Sequence, residues 1–258
     1  MSKKHIDLRK LIENENFPRS NKYDPHWVLA NQMGPNALWL TEWLCRDMEL
    51  HPGMRVLDMG CGKCLSSVFL AREFGVQVWA NDLWIKATDN WKRIREAGLE
   101  EQIFPIYAEA HSLPYAEEFF DAIVCVDSYI YYGTDDLYLN YFRKFVKPGG
   151  QIGIVVPGLM RDFNGPVPEH LKPFWGEDCW SWHTSDWWRH LWARTELVDI
   201  EVVETMPDGW RHWLQFKKAR QAAGVRPPSS WDIEVMRTDQ GKYVALIRMV
   251  ARRKESQL

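Results

Sequence analysis

The spacing of apolar residues along this chain changes period several times, and the changes mark out its elements. Between 36 and 50, Leu38, Trp39, Trp43, Leu44 and Met48 recur at helical spacing, which predicts a helix ending before the His-Pro-Gly at 51–53. Residues 54–60 are a short apolar run closed by Gly60, and 64–75 read as a helix stopped by Gly75. Further strands are predicted at 76–82, 103–110, 120–128 and 149–158, with helices at 84–98 and 135–146. Strands alternating with helices call for a parallel sheet with right-handed crossovers. Residues 1–35 are polar and broken by Pro18, Pro25, Gly34 and Pro35, and read as an irregular arm. The alternation falters at 159–184, a stretch rich in proline and tryptophan without clear period. It resumes with a helix at 185–197, N-capped by Ser185, a strand at 198–206, a helix at 210–224 and a last strand at 242–253.

Composition narrows the function classes. At 258 residues, 46% hydrophobic and 26% charged, the chain can bury a large core, in one α/β domain carrying an inserted lid. Lysine and arginine number 32 against 35 acids, so no general attraction to nucleic acid is expected, and 211–226 is the one strongly basic stretch. No apolar run reaches signal-peptide or membrane-spanning length, which gives a cytoplasmic expectation with no membrane partner. The five cysteines are expected as thiols, and the Cys61/Cys64 pair sits in a glycine loop that suggests another job. Tryptophan is the outlier: six of the eighteen residues at 175–192 are Trp, a density that suits core, a membrane-facing surface or a ligand wall.

The most informative stretch is VLDMGCGKCLSS at 56–67. Glycines at 60 and 62, between a strand and a helix, let backbone approach a nucleotide-like ligand closely. A dinucleotide site would want a third glycine at 65, where this chain has leucine. Asp58 puts a carboxylate where pyrophosphate would lie, which suits a ligand carrying an ammonium instead. Asp82, twenty residues after Gly62 and closing the second strand, is placed to accept hydrogen bonds from ribose hydroxyls.

With these residues the sequence resembles the class I S-adenosylmethionine-dependent methyltransferases, of the small-molecule, UbiE-like (type 11) kind. The resemblance covers 50–158, and 185–206 more loosely. It implies a Rossmann-like α/β fold with a seven-stranded, mostly parallel sheet, helices on both faces, an N-terminal helical arm and a lid after strand 5. The corresponding parts are an arm at 1–50, a cofactor core at 51–158, a Trp-rich lid at 159–184, and a remainder at 185–258 with a helical insert at 207–241. The resemblance implies S-adenosylmethionine as cofactor and S-adenosylhomocysteine as product. Its site is assigned to Asp58, Gly60, Cys61, Gly62, Asp82, Leu83, to Ala108, Glu109 and Ala110 at the adenine turn, and to Asp127 at the methionine end.

Methyl transfer from a sulfonium is an in-line displacement that needs alignment, exclusion of water and, for some acceptors, a base. Candidate catalytic groups are His183 and Tyr132, with His111 and His190 as further histidines. Trp27, Trp180, Trp182 and Tyr131 are expected to face a small-molecule acceptor, cationic or aromatic, since indole faces attract cations. Trp187, Trp188, Leu191 and Trp192 share a helical face that packs the lid down. No metal is required, and the protein is expected as a monomer or homodimer. A macromolecular methyltransferase and a non-catalytic cofactor-binding protein are the competing readings.

Overall fold

The computed structural model describes residues 7–225 and 231–255. Arg226, which closes the basic stretch, and 227–230 of the expected insert lie outside the described residues, as do 1–6 and 256–258. Seven strands form one sheet: β1 Arg55–Met59, β2 Gln77–Asp82, β3 Ile103–Tyr107, β4 Phe120–Val126, β5 Val146–Leu159, β6 Val198–Thr205 and β7 Val244–Arg253. Their order is β3-β2-β1-β4-β5-β7-β6. The first five run parallel, and β7 enters antiparallel between β5 and β6, in register from Gln151 opposite Arg252 to Leu159 opposite Val244. The fold is the Rossmann-like, mostly parallel architecture, with one antiparallel hairpin at its edge.

The core follows from strand composition. Val56, Leu57, Val78, Ile123, Val124 and Ile154 are wholly buried, as expected for strands covered on both faces. Strand order reverses between β1 and β4, so their carboxyl ends open a crevice, the usual ligand position in an open α/β sheet. Helix α4 (Leu65–Phe74) begins just beyond that crevice, with Cys64 left-handed at its N-cap, and ends at Gly75 with φ +68°. A glycine there meets the left-handed C-terminal turn without a Cβ penalty.

Several boundaries differ from the sequence reading. The arm is not irregular: α1 (Leu8–Ile12) and α2 (Pro25–Asn31) precede α3 (Ala37–Leu44). Short helices have too few turns to show a period; their signal is local, with Pro25 at N1 and Asp24 accepting from the His26 N–H. The predicted helix at 135–146 is only α6 (Tyr138–Phe142) and a 3-10 turn, because β5 starts at Val146 rather than 149. The cap of α7 (Ser185–Ala193) is Thr184, whose hydroxyl accepts from Trp187 N–H at 3.2 Å, not Ser185. Thr184 also bridges Leu159 at the end of β5, which fixes where the helix starts. On α7, Trp188 and Trp192 are completely buried against Tyr129, while Trp187 is half-buried. Two helices, α5 (Ala87–Glu96) after β2 and α8 (Gly209–Ala222) after β6, match their predicted positions, and α9 (Trp231–Asp239) leads into β7. Among the described residues no helix is long and apolar enough to cross a membrane.

Candidate active site

One large cavity, about 610 Å³, occupies the crevice at the carboxyl ends of β1, β2 and β4. Its inner end is built by the glycine turn after β1. Gly60 and Gly62 take φ +73° and +53°, and a Cβ on Gly60 would overlap the Ser128 side chain. The turn is fastened to the end of β2: the Asn81 carbonyl accepts from Gly60 N–H at 2.8 Å and Cys61 N–H at 3.0 Å, and Asn90 Nδ2 donates to the Gly62 carbonyl at 2.9 Å.

Asp82 is 7% exposed and organises the same turn. Its Oδ2 accepts from Gly62 N–H at 2.8 Å, and Oδ1 accepts from Trp84 and Ile85 N–H at 2.7 and 2.8 Å. Burial raises its pKa while the Ile85, Gly62 and Trp84 bonds hold it down. A carboxylate offers roughly four acceptor sites, so three backbone bonds leave capacity for a ribose hydroxyl. Ala108, Glu109 and Ala110, the expected adenine turn, also line the cavity. Glu109 turns both oxygens to His111, its Oε2 accepting the backbone N–H at 2.8 Å and Oε1 lying 2.7 Å from Nδ1. The hydrogen bond from the His111 side chain is the main reason that the Glu109 pKa is lowered. Leu83 lines the mouth at 43% exposure, and Cys61 lines the inner wall. Burial pushes the Cys61 thiol well up, so it stays protonated.

Four expected site residues are not on the cavity wall. Asp58 is fully buried beneath the turn, where Oδ2 accepts from the Ser66 and Ser67 hydroxyls at 2.6 Å each; Ser66, not Asp58, reaches the cavity. The strand pleat directs this carboxylate toward the start of α4, so it supports the helix rather than facing a ligand. His183 lies flat on Trp187, ring centroids 3.6 Å apart, and its carbonyl accepts from Leu159 N–H at 2.9 Å, tying it to the sheet edge. Burial lowers the His183 pKa, which keeps it neutral, but no base function follows from a ring outside the site. Trp27 stacks on Tyr23 at 6.0 Å, on the side of α2 that faces the core. Trp180 is 67% exposed at the end of a 3-10 turn (Glu177–Cys179).

Buried Asp58 yields a pH test. Burial pushes its carboxyl from 3.8 up to about 6, against the lowering effect of the two serine hydroxyls, with the Asp82 charge adding to the rise. The folded chain thus keeps a proton that the unfolded chain has released, so stability falls as pH climbs from about 4 to about 6. Asp58→Asn removes that dependence. In urea titrations its stability relative to wild type should rise across this window by about 3 kcal/mol, from about two pKa units at 1.36 kcal/mol each. A difference that does not vary with pH would contradict it.

The outer end of the cavity is aromatic and acidic. Tyr131 and Trp182, both expected near an acceptor, line it along with Trp84, Trp213, Trp231, Asp178 and Asp232. Trp182 is 5% exposed and meets Trp213 and Trp231 at 6.1 and 6.5 Å between centroids. Tyr132 lines the wall, but its hydroxyl is engaged with Ser128 Oγ at 2.9 Å and Cys125 Sγ at 3.1 Å. Burial raises its pKa far above the ordinary value, so it serves as a donor and not as a phenolate. Met33 and Gly34, from the segment between α2 and α3, close over Gly62 and Asp127. The contributions of Trp213, Trp231 and Asp232 were not legible in advance: α8 and α9 follow β6 in sequence, and only the β7 hairpin folds them back over the crevice. Asn81, next to Asp82, is the residue that the spacing pattern passed over.

A glycine turn fastened to the end of β2, at the switch point of this sheet, is the arrangement of a class I S-adenosylmethionine-dependent methyltransferase domain, and the comparisons support that class and its cofactor for the stretch that they match. A family model described as "Methyltransferase domain" matches residues 56–150, the stretch from β1 into β5. Among curated proteins the chain is similar to methyltransferase GfsG of Streptomyces halstedii, 31% identical over 134 residues, covering 50% of this chain and 48% of the relative. It is also similar to a demethylmenaquinone methyltransferase of a Mycobacterium species, 28% identical over 125 residues, covering 46% and 48%. The chain thus spans about half the length of the curated relatives it matches. Of solved structures, phosphoethanolamine N-methyltransferase 2 of Haemonchus contortus superposes with a TM-score of 0.74 at 17% identity, over 99% of this chain and 62% of that one. The [4+2]-cyclase SpnF gives 0.69 at 20% identity, over 88% and 85%. These two likenesses show the fold.

Proposed function

We propose that this chain transfers the methyl group of S-adenosylmethionine to a small-molecule acceptor held at the aromatic end of the cavity. The observation that carries this reading is that one cavity joins the glycine turn and Asp82 to the Trp182, Trp213 and Trp231 wall, so that donor and acceptor share one enclosure. The glycine turn fits the cofactor because its left-handed glycines make a cradle that a Cβ would fill, and Asp82 retains an acceptor site. Bound there, the cofactor supplies an electrophilic sulfonium methyl. The chain aligns the two reactants and excludes water, and proximity of this kind contributes several kcal/mol to a barrier.

The relatives favour a small acceptor: their names include demethylmenaquinone, phosphoethanolamine and sterol methyltransferases. A second reading is a protein that binds the cofactor without transferring its methyl, since one fold hosts several chemistries and this chain shares its fold with a [4+2]-cyclase. A radiolabelled methyl-transfer screen over amines, phenols, thiols and carboxylates separates the two. Binding of the cofactor without transfer to any pool favours the second.

The acceptor wall has its own test. Trp182→Ala should raise the acceptor KM by about tenfold or more, the loss of one large buried aromatic contact, and leave S-adenosylhomocysteine affinity within about threefold. Trp180→Ala should change neither, since Trp180 faces solvent. Equal effects of the two substitutions would remove Trp182 from the acceptor wall.

A further inference from the structure

Asp127 is the least explained side chain in the cavity. Its backbone N–H donates to the Val155 carbonyl at 2.8 Å, continuing the β4–β5 ladder, and then φ turns to +62°. Aspartate tolerates this left-handed conformation better than most residues, yet it is still a strained choice. The turn carries the carboxylate off the sheet and into the cavity wall. Among the described residues nothing donates a hydrogen bond to it. Gly34 closes over it so tightly that a Cβ there would overlap Oδ2.

The surroundings specify what it waits for. The charges that Asp127 feels are Lys217 of α8 and Asp232 of α9, which are paired with each other, so neither neutralises it. Asp178 adds a further acid to the same wall. Indole rings of Trp182, Trp213 and Trp231 complete this end, and π-faces beside carboxylates attract cations. Trp182 also has a buried indole N–H with no acceptor among the described residues, an unspent donor on the same wall. Buried polar groups of this kind are usually satisfied by a partner.

We propose that Asp127 anchors a protonated amine of the acceptor and takes a proton from it, which makes this an N-directed methyltransferase for an aryl or alkyl amine. The proposal rests on the methyltransferase reading above and assigns Asp127 to the acceptor rather than to the methionine end of the cofactor. In the step it serves, an ammonium N–H bond breaks and the proton goes to an Asp127 oxygen, leaving the nitrogen lone pair free. That pair forms the new bond to the methyl carbon, and the electron pair of the broken carbon–sulfur bond stays on sulfur as a neutral thioether. Burial pushes the Asp127 carboxyl up to about 7, with Lys217 lowering it and Asp232 raising it. A base poised there matches proton transfer near neutral pH.

The test uses the full chain saturated with S-adenosylhomocysteine and two probes of equal shape, 2-phenylethylamine and 2-phenylethanol, titrated by calorimetry. Wild type should bind the amine about tenfold or more tightly than the alcohol, the worth of a charge-assisted hydrogen bond. Asp127→Asn, which keeps the left-handed turn, should abolish that preference and leave S-adenosylhomocysteine affinity within about threefold. Transfer to the amine in wild type should rise with pH through about 7, and this limb should vanish in the variant. Asp178 and the Tyr131 hydroxyl also face this region and remain in both proteins. A preference retained in Asp127→Asn overturns the proposal, as does failure of the amine to bind wild type at about 10 mM, roughly tenfold above the 1 mM that corresponds to about 4.1 kcal/mol of binding. A tenfold loss of S-adenosylhomocysteine affinity in the variant would also overturn it, by placing the carboxylate on the cofactor's ammonium. Failure of wild type to bind S-adenosylhomocysteine would instead sink the methyltransferase reading.

Discussion

Gly60→Ala should abolish measurable S-adenosylhomocysteine binding while leaving a folded protein. Gly60 takes φ +73°, where an alanine is strained by about 1 kcal/mol, and the added methyl would overlap Ser128 Oγ and Cβ. Ser128 cannot step aside freely: its hydroxyl donates to the Met59 carbonyl at 2.9 Å and meets Tyr132 and Cys125. The glycine turn must therefore move, and the turn is the proposed cofactor cradle. We expect an affinity loss above about a hundredfold, roughly 2.7 kcal/mol, and a stability loss of about 1–3 kcal/mol. Calorimetric titration together with urea unfolding reads both. Wild-type affinity in this variant would mean that the ligand does not lie against Gly60.

Asp82→Ala should match it in affinity and exceed it in stability loss. Removing the carboxylate leaves the Gly62, Trp84 and Ile85 N–H groups without their acceptor, at a residue 7% exposed. Each unsatisfied buried donor costs about 1–3 kcal/mol, and water admitted to the gap recovers part of it. A stability loss of about 2–4 kcal/mol is expected, with affinity again down by about a hundredfold or more. Asp82→Asn should sit between, because the amide keeps one acceptor oxygen but offers a donor where a backbone N–H already points. An alanine variant that loses ribose recognition but no stability would show that the three backbone bonds are dispensable.

Both residues were legible in the sequence because each does local work. Glycine at 60 and an acid twenty residues after Gly62 are requirements of chain direction and spacing, and they survive any change in the rest of the fold. Asp58 shows the limit of that reasoning. Its place in the motif was readable, but whether a strand side chain faces the crevice or the helix beneath depends on the pleat, and here it faces Ser66 and Ser67. The tryptophans divide on the same ground. The helical face of Trp188 and Trp192 announces burial through its period. The irregular chain before α7 has no period, so nothing local separates Trp182 on the cavity wall from Trp180 in solvent. The proposed acceptor wall draws on residues as distant in sequence as Gly34, Trp182 and Trp231, and such convergence is a property of the folded sheet.

The central claim is that the crevice between β1, β2 and β4 holds S-adenosylmethionine beside its acceptor. Calorimetric titration of the purified chain with S-adenosylhomocysteine, wild type beside Gly60→Ala and Asp82→Ala, tests it most directly. The account predicts one site per chain in wild type, with affinity of about 10 μM or tighter, and binding lost in both variants. No binding to wild type, or binding that both substitutions leave intact, would contradict it.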